Sequence, residues 1–296
     1  MADPFPVEVA EDAVADLRAR LRATRWPEPE TVDDWSQGIP LAYMREVCDY
    51  WAEEYDPGRI AARLNAVGSF RTTVDGLGTH FLHARSPEDD ALPLVITHGW
   101  PGSVLEFLGV LGPLTDPAAH GGDPADAFHV VCPALPGYGF SDKPAGPGWG
   151  LERIAGAWAE LMTELGYERF GAQGGDWGAF VTVALTRAVP ERLAGIHLNM
   201  ATVSPAELEH LGELTEAERD GVAALRHYRQ VDSGYAKQQS TRPQTLGYGL
   251  VDSPAGQAAW ILEKFWAWTD HAGRPDDAVP LDVLLDNVTL YWLTNT

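Results

Sequence analysis

The stretch FGAQGGDWG at residues 170–178 decides the fold of this chain. A strand pattern ends in its two adjacent glycines, and a helix pattern begins at Gly178. Small residues on both sides of Asp176 permit a sharp, strained turn that lifts this side chain above the edge of a sheet. A second interpretation makes Asp176 an ordinary helix N-cap after a glycine turn. The stretch alone does not separate the two interpretations.

Outward from this turn, apolar strand patterns alternate with helix patterns. The runs LPLVITHG, AFHVVCPAL and LAGIHLNM are typical of strands buried on both faces, and VLEFLGVL, IAGAWAELMTELG and GAFVTVALTRAV are helical. Before them, FRTTVD and THFLHA alternate around a Gly-rich turn, which predicts a hairpin. The sequence therefore predicts an α/β fold whose mostly parallel sheet opens with an antiparallel hairpin.

Three regions follow from these patterns. Residues 1–69 predict a helical N-terminal lead, with helices near 10–24 and 40–55. Residues 70–202 predict the α/β core. Residues 203–296 lose the alternation, become helical and rich in aromatic side chains, and predict a helical cap.

Composition excludes several classes of function. A net charge of −22 without a basic stripe argues against nucleic acid and against anionic membrane surfaces as partners. No apolar run approaches the ~20 residues of a membrane span, and the N-terminus lacks a signal pattern. Cys48 and Cys132 form no CxxC pair, so the sequence predicts neither a zinc ribbon nor a disulfide framework. We expect a cytoplasmic protein without metal or cofactor.

A second motif, His98-Gly99-Trp100-Pro101-Gly102, follows the strand LPLVIT. In a sheet whose Asp176 turn is a nucleophile elbow, this position supplies a main-chain donor to an oxyanion hole. The predicted donors are the N–H groups of Trp100 and Trp177, since Pro101 has none. His98 is open to two interpretations, a catalytic base or a buried structural residue, and we favour the structural one.

An aspartate at the elbow changes the chemistry. A carboxylate with a pKa of ~4 is already charged at pH 7 and attacks without a base. Attack on an acyl group would give an anhydride, whereas attack on an alkyl carbon gives an ester. Asp176 as nucleophile therefore favours epoxides or alkyl halides as substrates.

Together the motifs HGWPGS, LPGYGFS and GGDWG, the lead elements FPVEV and LRARLRATRW, and the stretch GYAKQQSTRPQTLGYGL resemble one family over essentially the whole chain. The sequence resembles the microsomal-type epoxide hydrolases of the α/β-hydrolase superfamily. This resemblance implies that Asp176 attacks the epoxide and that Tyr235 donates to the departing oxygen, with Tyr248 a weaker alternative. It also implies that the aromatics Trp260, Phe265, Trp266 and Trp268 mostly pack the cap.

The resemblance also implies residues that this sequence lacks. An acid, a histidine base and a second cap tyrosine should follow the cap, and His197, His210, His227 and His271 do not have the required position. We therefore expect the last two strands to be missing and the chain to stall after alkylation. A fragment of a longer enzyme and a natural product without turnover both remain as explanations.

Two other functions stay open at this point. A haloalkane dehalogenase also uses an Asp nucleophile, often followed by Trp, and would release halide. A non-catalytic chain would bind hydrophobic ligands or a partner subunit. On the favoured interpretation the partners are a small hydrophobic epoxide and water, and a homodimer is compatible with the sequence.

Overall fold

The computed structural model describes residues 2–202, 212 and 214–296, and a seven-stranded sheet forms its centre. The strand order is β1-β2-β3-β5-β4-β6-β7. Strands β5, β4, β6 and β7 run parallel, and the pairs β1–β2, β2–β3 and β3–β5 are antiparallel. The strands are β1 Asp3–Pro4, β2 Ser69–Val74, β3 Leu77–Ala84, β4 Leu92–Thr97, β5 Phe128–Pro133, β6 Phe170–Gly174 and β7 Leu193–Leu198. The predicted α/β fold with an opening hairpin is confirmed.

The N-terminal lead contains more than the two predicted helices. Helices α1 (Glu11–Arg22) and α2 (Leu41–Glu53) lie where the apolar spacing predicts them, and α3 (Gly58–Val67) follows. The lead also contributes β1, which pairs with β2 at the sheet edge. The sequence does not predict this strand, because a strand of two residues carries no period that the sequence could show.

Helices cover both faces of the sheet, because successive side chains of a strand point to opposite sides. Val95 and Val131 pack on one face with Trp158 and Leu185. Their neighbours Ile96 and Val130 pack on the other face with Ile60, Leu64 and Leu111. The covering helices are α4 (Leu108–Thr115), which follows a short 3₁₀ turn at Val104–Phe107, then α5 (Leu151–Glu164) and α6 (Trp177–Ala188). These two layers position the ends of β4 and β6.

The remaining described helices are α7 (Glu216–His227), α8 (Gly234–Thr241), α9 (Pro243–Leu250), α10 (Pro254–Trp268), α11 (Pro275–Ala278) and α12 (Leu281–Thr294). A π-helical turn at Tyr228–Asp232 extends α7. The predicted start of α10 is confirmed, since the Ser253 hydroxyl accepts the Gly256 N–H at 3.0 Å.

Helices α10 and α12 share a core with the N-terminal lead. Its buried members include Leu17, Leu21, Val47, Trp51, Ile261, Leu262, Leu285 and Val288. Cys48 is buried in this core and Cys132 in β5, and both are free thiols, as the sequence predicts. Helical periodicity does not specify which helices pack together, so this layer is a product of the tertiary structure.

Strand β7 lies at the open edge of the sheet and is largely exposed. Ile196 on β7 is 44% exposed, and Trp177 on α6 is 49% exposed. Among the described residues, no helix combines the length and the apolar character that a bilayer span requires.

Candidate active site

The turn at Asp176 joins β6 to α6 in a strained conformation. Asp176 has φ 48° and ψ −124°, a region that residues other than glycine rarely occupy. A Cβ on Gly178 would lie 1.8 Å from the Thr97 carbonyl oxygen, so only glycine fits there. Although Asp176 precedes α6, its side chain makes no capping hydrogen bond. The ordinary N-cap interpretation therefore does not describe this carboxylate.

Parallel pairing of β4 with β6 sets Thr97 opposite Gly174, so the His98–Gly102 loop meets the Asp176 turn. The Trp100 main-chain N–H donates to Asp176 Oδ1 at 2.8 Å. A Cβ on Gly99 would lie 2.1 Å from the same oxygen, which explains the glycine in this loop. The loop and the turn together hold one carboxylate oxygen in place.

The charge of Asp176 is subject to opposing effects. Burial raises the pKa of its carboxyl, while the N–H groups of Trp177 and Trp100 lower it, and the net shift is upward. The sequence predicts these same two N–H groups as oxyanion donors. In the structure, both favour the ionised form of the Asp176 carboxyl. The sequence prediction of a nucleophile requires a partly desolvated carboxylate held by main-chain donors, and Asp176 has both features.

His98 is fully buried and engaged at both ring nitrogens. The Leu135 N–H donates to Nε2 at 3.1 Å, which leaves the ring proton on Nδ1, 3.1 Å from the Gly99 carbonyl oxygen. Burial lowers the pKa of His98 to about 4. A neutral imidazole with both nitrogens occupied supports the structural interpretation of His98.

Tyr235 on α8 faces the site from the opposite side. Its ring stacks on the Trp100 indole, with centroids 4.9 Å apart and planes 15° apart. Its hydroxyl lies 3.0 Å from the Tyr228 hydroxyl. Burial, the Tyr228 hydroxyl and the negative charge of Asp176 raise the pKa of Tyr235, so it stays a proton donor at neutral pH.

Three residues support Tyr235: Trp268, which the sequence prediction assigns to cap packing, and Lys264 and Asp232, which it missed. Lys264 lies with its ammonium 4.9 Å from the Tyr235 ring centroid, and the Trp268 ring meets Tyr235 edge-on at 5.2 Å. Asp232 accepts from both, at 2.5 Å from Lys264 Nζ and 2.7 Å from Trp268 Nε1. The sequence held one signal for this cluster, a lysine within the aromatic-rich stretch of α10. In the fold, Lys264 is only 6% exposed.

The other cap aromatics separate into different roles. Trp260 lines a cavity and donates its indole N–H to Gln239 at 2.8 Å. Phe265 packs against the core shared with the lead, and Trp266 stacks on Trp35. Tyr248 is 70% exposed on α9.

The sequence prediction assigns no base among the histidines of the strand after Asp176 and of the cap. His197 is exposed on β7, and the His271 Nδ1 accepts the Gly273 N–H. His210 lies outside the described residues. Within the described ranges, no histidine hydrogen-bonds to Asp176, and no group of three or more His, Cys, Asp or Glu side chains is arranged to hold a metal ion.

A cavity of about 220 Å³ adjoins the site behind Trp100 and Tyr138. Apolar side chains of α9 and α10 form much of its wall, among them Leu246, Leu250, Trp260 and Ile261. Such a wall suits an apolar ligand.

Comparison with known proteins identifies the family. Residues 2–107 match the family described as the epoxide hydrolase N terminus, and residues 93–244 match the alpha/beta hydrolase fold. Epoxide hydrolase 1 of Oryctolagus cuniculus is 35% identical over 317 residues, covering 99% of this chain and 70% of that protein. This chain belongs to the epoxide hydrolase family.

Solved structures of the epoxide hydrolase family superpose closely on this chain. The juvenile hormone epoxide hydrolase of Bombyx mori matches with a TM-score of 0.89 at 33% identity, covering 100% of this chain and 75% of that one. The Aspergillus niger epoxide hydrolase matches with a TM-score of 0.88 at 32% identity. A Stigmatella aurantiaca relative is 56% identical over 293 residues, 66% of its own length. The chain thus spans about two thirds of the curated relatives that it matches.

Proposed function

We propose that this protein opens epoxides by alkylation of Asp176, with a vicinal diol as the final product of the complete reaction. The observation that carries the proposal is the Asp176 carboxylate. It stands at a strained apex, with Oδ1 bound to the Trp100 N–H at 2.8 Å and its other oxygen not hydrogen-bonded within the described residues. Membership of the epoxide hydrolase family supports this assignment.

In the first step the free oxygen of Asp176 attacks one epoxide carbon, and the bond from that carbon to the epoxide oxygen breaks. The departing oxygen takes the Tyr235 hydroxyl proton, which leaves a hydroxyalkyl ester on Asp176 and a tyrosinate that water reprotonates. The raised pKa of Tyr235 keeps that proton in place until the alkoxide develops. Tyr228, 3.0 Å away, supports the hydroxyl.

In the second step water attacks the ester carbonyl, and the N–H groups of Trp100 and Trp177 stabilise the oxyanion. Proton removal from that water requires a base. No described histidine hydrogen-bonds to Asp176, and both His98 nitrogens are occupied. We therefore propose that the 296-residue chain by itself accumulates the ester.

Two observations favour epoxide opening over halide release. In a dehalogenase, the indole after the nucleophile would bind halide. Here Trp177 is 49% exposed, and the centroid of its ring lies 6.0 Å from that of Phe180. The half-buried phenol of Tyr235, by contrast, is held within the electrostatic influence of Asp176. A phenol can donate the proton that an alkoxide leaving group needs. A halide leaves as a stable anion and needs no proton.

The apolar cavity behind Trp100 indicates the substrate class. Leu246, Leu250 and Ile261 form much of its wall, beside the neutral amides of Gln239 and Gln257, so we propose a hydrophobic epoxide such as styrene oxide.

Intact-mass spectrometry after incubation with styrene oxide tests the proposal. We expect one stable adduct on the wild-type chain and none on Asp176→Asn, which keeps the shape of the side chain. Asp142→Asn removes a partly exposed carboxylate elsewhere and should retain the adduct. Absence of any adduct would contradict the proposal, and chloride release from a chloroalkane would favour the dehalogenase. Sustained diol formation by the purified chain would contradict the proposed stall.

A further inference from the structure

The carbonyls that follow Trp100 are bound by one helix. Asn287 on α12 donates its side-chain N–H to the Pro101 carbonyl at 2.7 Å, and the Tyr291 hydroxyl donates to the Gly102 carbonyl at 2.7 Å. Both side chains are only 6% exposed. Residues four apart lie on one face of a helix, so this face of α12 hydrogen-bonds to two consecutive peptide groups of the loop.

Another face of α12 is locked to the N-terminal lead. Asp286 is fully buried and accepts from the Tyr55 hydroxyl at 2.7 Å, from Arg59 Nε at 3.2 Å and from Arg63. Thr289 accepts the Trp51 indole N–H at 2.8 Å. A buried carboxylate with this many donors is well compensated, which gives the helix a defined rotation and height.

These two faces are separate. At 3.6 residues per turn, the stripe of Asp286 and Thr289 lies roughly 150° around α12 from the stripe of Asn287 and Tyr291. Helix α12 thus stands between the lead and the His98–Gly102 loop, and any rotation or shift set by the lead is transmitted to the loop.

We infer that Asn287 and Tyr291 are positioning residues that aim the Trp100 N–H at Asp176, with the N-terminal lead acting through α12 as their support. Neither residue touches the reacting atoms. Their effect is on the donor that binds Asp176 Oδ1 before attack and the oxyanion after it. This inference rests on the proposed reaction at Asp176 for its chemical consequence, but its structural content is independent of that reaction.

Selective ¹⁵N-tryptophan labelling isolates the test, because only 11 main-chain tryptophan N–H signals are then observed. The Trp100 and Trp177 signals are assigned with Trp100→Phe and Trp177→Phe. In Tyr291→Phe and Asn287→Leu we expect the Trp100 amide to exchange with solvent roughly tenfold faster, since its loop has lost an anchor. The Trp177 amide should exchange at the wild-type rate.

Tyr167→Phe is the matched control. Its hydroxyl also makes one partly buried hydrogen bond, 2.8 Å to His83 Nε2, away from α12. This variant should lose comparable global stability without faster exchange at Trp100. Tyr291→Phe removes one oxygen only, so it supplies a folded variant if Asn287→Leu does not fold.

Single-turnover alkylation with styrene oxide supplies the chemical readout. We expect the rate constant at saturating epoxide to fall roughly tenfold in Tyr291→Phe, with the half-saturating concentration unchanged. Unchanged Trp100 exchange in folded variants, or faster exchange with an unchanged alkylation rate, would overturn the inference. If the wild-type chain forms no ester, the proposed function fails, while the exchange experiment still decides whether α12 holds the loop.

Discussion

The Tyr235 ring lies stacked on the Trp100 indole, with centroids 4.9 Å apart. One of these residues belongs to the helical region after the core, and the other supplies a main-chain donor to Asp176. The stack therefore joins the proposed acid and the proposed oxyanion donor into one unit.

Removing the Tyr235 hydroxyl tests the proposed acid. Tyr235→Phe preserves the stack on Trp100 but removes the proton for the departing oxygen, so the alkylation rate should fall on the order of 100-fold. Tyr228→Phe removes only the supporting hydroxyl and should cost about fivefold, the equivalent of one ordinary hydrogen bond. Stopped-flow or rapid-quench detection of the ester measures both. Equal rates for Tyr235→Phe and wild type would exclude Tyr235 as the acid.

The pH dependence of alkylation follows from the Asp176 carboxyl. Only its ionised form attacks, and its pKa is raised in the fold, mainly by burial. The single-turnover rate should therefore rise with pH through a midpoint above ~3.9, the ordinary value for Asp. Asp176→Asn, measured in the same buffers, gives the background from spontaneous epoxide opening. Carboxyl groups with a raised pKa titrate between about pH 4 and about pH 7. An alkylation rate that stays constant over this range would contradict the assignment.

The same shift predicts a stability effect. Because the folded-state pKa of Asp176 is raised, the unfolded chain ionises first as pH increases. The resulting destabilisation is absent below ~3.9, develops as pH rises, and is complete above the folded-state pKa. Asp176→Asn should accordingly be more stable than wild type at neutral pH, with the gap closing in acid. Urea unfolding at several pH values measures this, and an Asn variant that is less stable at pH ~7 would contradict it.

The structure requires glycine at Gly178 of the turn but not at Gly175. A Cβ on Gly178 would lie 1.8 Å from the Thr97 carbonyl oxygen, whereas a Cβ on Gly175 would meet only Asn199 at 3.5 Å. Gly178→Ala should destabilise the fold by about 2 kcal/mol or more through overpacking, and Gly175→Ala should change it little. Chemical denaturation of the two variants compares them directly. Equal loss in both would mean that the strained turn is not held by this close approach.

Much of the fold was predictable because its signals are local. The hairpin before Ala84, the buried strands and the Ser253 helix start each depend on neighbours within a few residues. The strand β1 and the helix α3 escaped prediction, since two extended residues and a short helix without caps leave weak patterns. Packing of α12 against the lead was also unpredicted, because the apolar face of a helix does not specify which element packs against it.

The sequence by itself determined the Asp176 turn and the Trp100 loop that meets it. Both contain glycines that no larger residue could replace. The atoms that exclude a side chain there lie nearby in the sequence or on a paired strand. Only the tertiary structure decided the surroundings of Tyr235. Trp100, Asp232 and Lys264 meet it from separate parts of the chain, and no local pattern encodes such a meeting. The reason is physical: local sterics select a turn, whereas contacts between distant side chains exist only after helices have packed on the sheet.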